Sequence, residues 1–147
     1  MQNTTTIENL LKGELSATES YQKALKELEF PGGKFLSDSL TPMYGEHKTT
    51  VSVLQEQIVK LGGVPPKSSG AWGSWPKLVL ENASLIGKRS AVKVLLDGEK
   101  TTEAGYSAAL QDSTLSADIR KLIETDLLPT QQSHVRSLDR VFETITD

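Results

Sequence analysis

Two segments of the chain have nearly the same sequence, and both have the spacing of an amphipathic helix. Residues 10–25 read LLKGELSATESYQKAL and residues 95–110 read LLDGEKTTEAGYSAAL. Each has two leucines, any residue, Gly-Glu, a tyrosine seven residues after the glutamate, and a closing Ala-Leu. A helix with one apolar stripe is stable only when that stripe packs against other helices. The repeat therefore predicts a bundle rather than an isolated helix.

A second pair of segments extends the repeat. Residues 42–51 read PMYGEHKTTV and residues 129–138 read PTQQSHVRSL, and both have histidine five residues after proline and an apolar residue four after the histidine. His47 and His134 are 87 residues apart, and Glu14 and Glu99 are 85 apart. Because the two spacings nearly agree, we infer an internal duplication of a helical hairpin, with Glu in its first helix and Pro-x4-His in its second.

The apolar periodicity predicts four long helices and no strands, so the predicted class is all-α. The first helix is capped by one of Thr4 to Thr6 and ends at FPGG (30–33), the second spans about 35–61, the third begins near Ser90, and the fourth spans from about Ser116 into the 140s. The predicted inward positions are Leu10, Glu14, Ala17, Tyr21, Ala24 and Leu28; Leu36, Leu40, Tyr44, His47, Val51, Leu54, Ile58 and Leu61; Leu95, Glu99, Thr102, Tyr106, Ala109 and Ser113; and Ile119, Ile123, Leu127, Gln131, His134, Leu138, Val141 and Ile145.

Prolines precede both histidines by about one helical turn. Pro42 is expected to begin a helix after a break at SDSLTP, and Pro129 is expected to kink a continuous helix. Either bend would aim the following histidine inward. Gly13 and Gly98, beside the two glutamates, predict close backbone approach at that height.

The connection between the hairpins spans residues 62–89 and is too long for a tight turn. It is predicted to contain a short helix from about Pro76 to Leu85 and to return along the bundle. On that basis we expect the second hairpin to repeat the direction of the first, with helix one opposite helix three. Trp72 and Trp75 are expected to pin the crossover to the bundle, and a homodimer contact is the second use of the same apolar area. Residues 1–147 are predicted to form one domain.

Composition excludes several classes of function. The net charge is −3, without a Lys/Arg cluster, which disfavours nucleic-acid binding. The absence of cysteine excludes disulfides and thiol chemistry. No apolar run is long enough to span a membrane, and the amino terminus lacks the pattern of a signal peptide. The sequence thus predicts a soluble, cytoplasmic protein.

Each predicted stripe carries one ionisable residue near its middle: Glu14, His47, Glu99 and His134. Burying such groups unpaired is costly, so the four side chains are expected to converge. This pattern resembles the ferritin-like superfamily, in which two helices each supply a Glu and the other two a Glu-x-x-His. Tyr21 and Tyr106, as neighbours of this layer, also resemble ferritin-like tyrosines.

The chain is most similar to a bacterial family of ferritin-like bundles catalogued as domain of unknown function 2383. The similarity rests on DGE…Y..AL, on IRKLIETDLLPTQQSHVRSLDRV and on the connection LGGVPPKSSGAWGSW. It covers nearly the whole chain and implies a ferritin-like fold without an established reaction. Tyr44 and Gln131 stand where a di-iron site would have carboxylates, which argues against a two-metal oxidase. Glu46 and Glu103 are candidate replacements.

Two interpretations of the quartet remain open. In one, Glu14, His47, Glu99 and His134 bind a single divalent ion such as Fe, Zn or Mn. In the other, which the sequence favours, Glu–His pairs form a metal-free polar layer that fixes the register. The leading functional hypothesis is a non-catalytic ferritin-like protein with a stress-associated role, as the resemblance implies. The alternatives are a metal-dependent oxidase or peroxide-handling protein, and a dimeric interaction module.

Overall fold

A computed structural model describes residues 4–68 and 87–145, apart from the side chains of residues 27–33. The elements in these ranges are α1 (Thr5–Lys60), α2 (Lys88–Ala109), α3 (Ala117–Leu122), a π-helical turn (Ile123–Leu127) and α4 (Leu128–Thr144). Both described ranges are free of strands. The all-α prediction is confirmed, and the four helical segments pack against one another.

Helix α1 folds back on itself. The Tyr21 hydroxyl lies 3.7 Å from Met43 Sδ, whereas 22 residues of straight helix would span about 33 Å. We call residues 5–26 the first arm and residues 34–60 the second arm. The predicted hairpin is thus present: the chain reverses direction between the two arms, although a single helical assignment spans Thr5–Lys60.

The second arm contains Pro42 in its interior, so the predicted break at SDSLTP is wrong. Leu36 and Leu40 before the proline and Met43 after it are all buried in one core cluster. Packing on both sides holds the helix together across the missing hydrogen bond, which shows tertiary contacts overriding a local signal.

The core has two halves. One half contains the end of the first arm and the beginning of the second arm, together with the beginning of α2 and the end of α4. The other half contains the beginning of the first arm, the end of the second arm, the end of α2, α3 and the π-helical turn. Along the bundle axis the four segments therefore run up, down, down and up.

This topology corrects the predicted direction of the second hairpin. Ile58, near the end of the second arm, and Ala91, near the start of α2, lie in opposite halves of the core. The second arm therefore ends at the end of the bundle opposite to the one where α2 begins. As a result, α2 runs parallel to the second arm and antiparallel to the first arm. Helix α2 is also a neighbour of the first arm rather than opposite to it, because Gly13 faces Thr102 and Gly105 faces Leu10 across the pair.

The predicted inward positions are largely buried, with three corrections. Met43 is 4 % exposed and takes the place predicted for Tyr44, and Thr50 takes that of Val51. Both positions move by one residue toward the amino terminus, and the buried positions keep an average spacing close to the 3.6-residue helical period. Ser113 is exposed because α2 ends at Ala109.

The remaining helix boundaries agree with the sequence to within a few residues. Helix α2 begins at Lys88, with Gly87 before it, rather than near Ser90. Ser116 caps α3 by accepting a hydrogen bond from the Ile119 amide (3.3 Å). The distortion predicted at Pro129 takes the form of the π-helical turn immediately before it.

The predicted short helix at 76–85, Trp72 and Trp75 lie outside the described residues. Within the described part of the chain, no helix combines the length and the apolarity needed to cross a bilayer.

Candidate metal centre

The four predicted side chains meet in one layer between the two halves of the core. Glu14 comes from the first arm, His47 from the second arm, Glu99 from α2 and His134 from α4, and all are at most 3 % exposed. The predicted convergence is confirmed by direct contacts among the four groups. The apolar clusters above and below exclude water, so interactions inside the layer are strong.

His47 lies between the two carboxylates. Its Nδ1–H donates to Glu14 Oε2 (2.5 Å) and its Nε2–H donates to Glu99 Oε1 (2.6 Å). Burial by itself lowers the pKa of His47, but Glu14 and Glu99 together outweigh burial and raise this pKa to about 10. Since carboxylates only accept, the metal-free layer holds His47 as an imidazolium.

Glu14 is held on its other side by Tyr106, whose hydroxyl donates to Glu14 Oε1 (2.6 Å). Burial, followed by the charge of Glu14, raises the pKa of Tyr106 well above its usual value, so the phenol stays protonated and remains a donor. Both oxygens of Glu14 are thereby occupied by donors.

His134 and Glu99 are close without being satisfied. His134 Nδ1 lies 3.0 Å from Glu99 Oε2, yet the two groups lack hydrogen-bond geometry, and neither atom has another hydrogen-bond partner. The net effect of His47 and His134 is to lower the pKa of Glu99 despite its burial, which keeps Glu99 a carboxylate. An unsatisfied buried polar atom typically costs about 1–3 kcal/mol.

Glu46 reaches the layer from the rim. Its Oε1 accepts from His134 Nε2 at 3.2 Å, while its side chain remains 54 % exposed. In the sequence analysis Glu46 is a candidate replacement carboxylate, and it lies about 100° round the helix from His47. That angular offset points Glu46 toward His134 on the neighbouring α4.

The predicted neighbours of the layer, Tyr21, Gln131 and Tyr44, have three different environments. Tyr21 is fully buried, with its ring 5.3 Å from that of His47. Gln131 donates from Nε2 to the backbone oxygen of Glu99 (2.8 Å) and so fixes α4 against α2 instead of supplying an oxygen to the layer. Tyr44 is half-buried and lies under the Lys48 ammonium, at 4.3 Å.

Gly13, beside Glu14, does not mark a crowded point in the layer. A Cβ atom at Gly13 would lie 4.0 Å from Thr102 Oγ1, which is an ordinary van der Waals distance. Gly98 is buried in α2. The close approach predicted at Gly13 is therefore wrong, and the space there is normal for a bundle.

The arrangement of donors fits a divalent metal ion. His47, Glu99 and His134 each present one donor atom, and these three atoms lie within 4.8 Å of one another. Two nitrogens and one carboxylate suit Fe, Zn or Mn, and an ion among them would satisfy both unpaired atoms. Glu14 on His47 Nδ1 and Glu46 on His134 Nε2 match the carboxylates that commonly orient metal-binding histidines.

The layer is not symmetric, although the sequence pattern suggested two equivalent halves. The position corresponding to Glu46 in the second half is Ser133, which has no carboxylate. Likewise Tyr106 donates to Glu14, whereas the Tyr21 hydroxyl lies against Met43 Sδ. The layer thus has a rim carboxylate beside His134 and only a serine at the corresponding position of the other half.

Comparison of the chain with models of known protein families gives no match, and comparison with curated proteins finds no significant relative. The similarity to domain of unknown function 2383 therefore stays a prediction from the sequence.

Proposed function

We propose that this protein is a ferritin-like, internally duplicated four-helix bundle that binds one divalent transition-metal ion in its central layer. The ligands are His47 from the second arm, Glu99 from α2 and His134 from α4. Glu14 and Glu46 orient the two histidines through their outer nitrogens. A bound Fe, Mn or Zn ion would supply Lewis acidity, and Fe or Mn would also supply redox chemistry.

The single observation that supports this function best is the unsatisfied pair formed by His134 Nδ1 and Glu99 Oε2. In a metal-free layer these buried atoms would lie 3.0 Å apart as an ion pair but without a hydrogen bond, at a cost in stability. Charge supports the same conclusion, because Glu14 and Glu99 together balance one dication when both histidines are neutral.

A metal-free layer is the second candidate, and it was favoured by the sequence. It is supported by His47, whose two nitrogens are both engaged by carboxylates. The imidazolium there would act as the internal cation of a structural ion-pair network. This layer leaves the contact between His134 and Glu99 unexplained, so we place it second.

Metal analysis distinguishes the two candidates. Protein purified without chelators or an affinity tag should contain, or take up from Co²⁺ solution, one equivalent of metal per chain. His134→Gln, which keeps a polar side chain, should lose this uptake while retaining a folded circular-dichroism spectrum. Glu103→Gln is the matched control, because Glu103 is a half-buried acid one turn beyond Glu99. Stoichiometric binding by His134→Gln, or none by wild type, would exclude the metal centre.

A further inference from the structure

The proposed centre is buried, so a cation must have a route to it. Every side chain that forms the layer is nearly inaccessible, with His47, Glu99 and His134 at most 3 % exposed. Glu46, which contacts His134, has a side chain that is half exposed. Glu46 thus connects the buried His134 to solvent.

Glu46 also lines a cleft on this side of the bundle. The cleft has a volume of about 560 Å³ and lies between the second arm and the π-helical turn. Its walls include Glu46, Thr49 and Thr50 from the second arm, and Asp126 and Thr130 from the opposite side. Two carboxylates and three hydroxyls give hard oxygen donors, and the described lining contains no basic residue.

The opposite wall of the cleft depends on the π-helical turn. Asp126 and Leu127 belong to this turn and line the cleft, while Leu127 is otherwise a buried core residue. π-Helical turns are energetically poorer than α-helix and occur often at functional sites. Here the turn changes the register just before Pro129 and places a carboxylate across the cleft from Glu46.

We propose that this cleft is the route by which a divalent cation reaches the centre, and that Glu46 is the carboxylate that receives it. This inference rests on the proposed function. A cleft whose described lining holds two carboxylates and no basic residue attracts cations. Such steering raises the rate of association by about tenfold to a thousandfold in favourable cases. Glu46 then contacts the cation's buried ligand His134 directly, which no other exposed carboxylate in the described ranges does.

Stopped-flow uptake of Co²⁺, followed by its visible absorbance, tests the role of Glu46. Glu46→Gln keeps an oxygen that can accept from His134 but removes the charge, so the uptake rate constant should fall about tenfold. Release to excess EDTA should change less than uptake, because an attractive charge acts mainly on the rate of association. Added salt should also lower the uptake rate constant of wild type more than that of Glu46→Gln. Glu56→Gln is the control, since Glu56 is an exposed acid on the same arm.

Blocking the cleft gives a second test that leaves the ligands intact. Thr49→Phe should slow uptake while leaving the stoichiometry and the equilibrium affinity for Co²⁺ unchanged. Thr101→Phe is the matched control: Thr101 is also exposed, and its hydroxyl donates to the carbonyl four residues earlier (3.0 Å), as that of Thr49 does (3.1 Å).

The outcomes separate the two proposals. Wild type that takes up no Co²⁺ would overturn the metal centre itself. Wild type that loads normally, together with Glu46→Gln and Thr49→Phe variants that load at the same rate, would overturn only the route. Unchanged uptake by Glu46→Gln with release accelerated about 10–100-fold would show that Glu46 only positions His134, and would also overturn the route.

Discussion

At the scale of residues, the central layer is organised by a chain of hydrogen bonds rather than by isolated pairs. Tyr106 donates to Glu14, which accepts from His47, which in turn donates to Glu99. Each bond has a charged partner, so each is stronger than a neutral hydrogen bond. The chain ends at Glu99 Oε2, and this is where the proposed ion would continue it.

Tyr106→Phe should destabilise the protein by about 1.5–3 kcal/mol, because Glu14 would lose a donor in a buried site. The measurement is the free energy of unfolding from urea titration in EDTA. The control is Tyr44→Phe, which also removes a tyrosine hydroxyl but at a half-buried position whose described contact is with Lys48. This substitution should change the free energy of unfolding little. Equal losses in both variants would mean that the bond to Glu14 contributes nothing specific.

At the scale of elements, the connection between α2 and α3 is fixed to the first arm through Asp112. This carboxylate accepts from the Thr114 hydroxyl (2.6 Å), the Thr114 amide (2.9 Å) and the Thr6 hydroxyl (2.6 Å). Arg120 donates to the backbone oxygens of Leu110 and Asp112 in the same turn. The hydrogen bonds from Thr114 and Thr6, with a smaller contribution from Arg120, lower the pKa of Asp112 from 3.8 to about 2.

Stability should therefore depend on the ionisation of Asp112 at acid pH. A carboxylate whose pKa is lower in the folded state contributes stability above its unfolded pKa, and this contribution is lost as the pH falls from about 4 toward 2. Asp112→Asn should melt at a lower temperature than wild type at pH 6, and the difference should shrink below pH 4. Asp139→Asn, at an exposed position, is the control and should show no such convergence.

At the scale of the whole molecule, the proposed centre joins segments that are far apart in sequence. Its three ligands come from the second arm, α2 and α4, and it lies between the two halves of the core. An ion that binds the folded chain alone would stabilise the entire bundle, since unfolding disperses the ligands.

Saturating metal should accordingly raise the melting temperature. At a free metal concentration of 100 times Kd the stabilisation is about 2.7 kcal/mol, which corresponds to about 5–10 °C for a chain of this size. Differential scanning calorimetry with Co²⁺ and with EDTA measures the shift. The His134→Gln variant should melt at one temperature in both buffers, and a wild-type protein that does the same would contradict the proposal.

The sequence by itself determined the helical class, the hairpin and the four members of the layer. Period and composition carry this information, because Glu14, His47, Glu99 and His134 each sit on an otherwise apolar stripe that must face inward. The family and the duplication remain predictions, since short matching motifs show similarity of pattern and not descent.

Only the tertiary structure decided how the segments run and how the layer is connected. The direction of α2 depends on which end of the bundle the chain resumes from, and no local pattern encodes that choice. The partnership of Glu46 with His134, and the unpaired contact between His134 and Glu99, depend on distances between different helices. Helical periodicity specifies which face of a helix is buried, whereas the atoms that meet across the core are fixed by the packing of all four segments together.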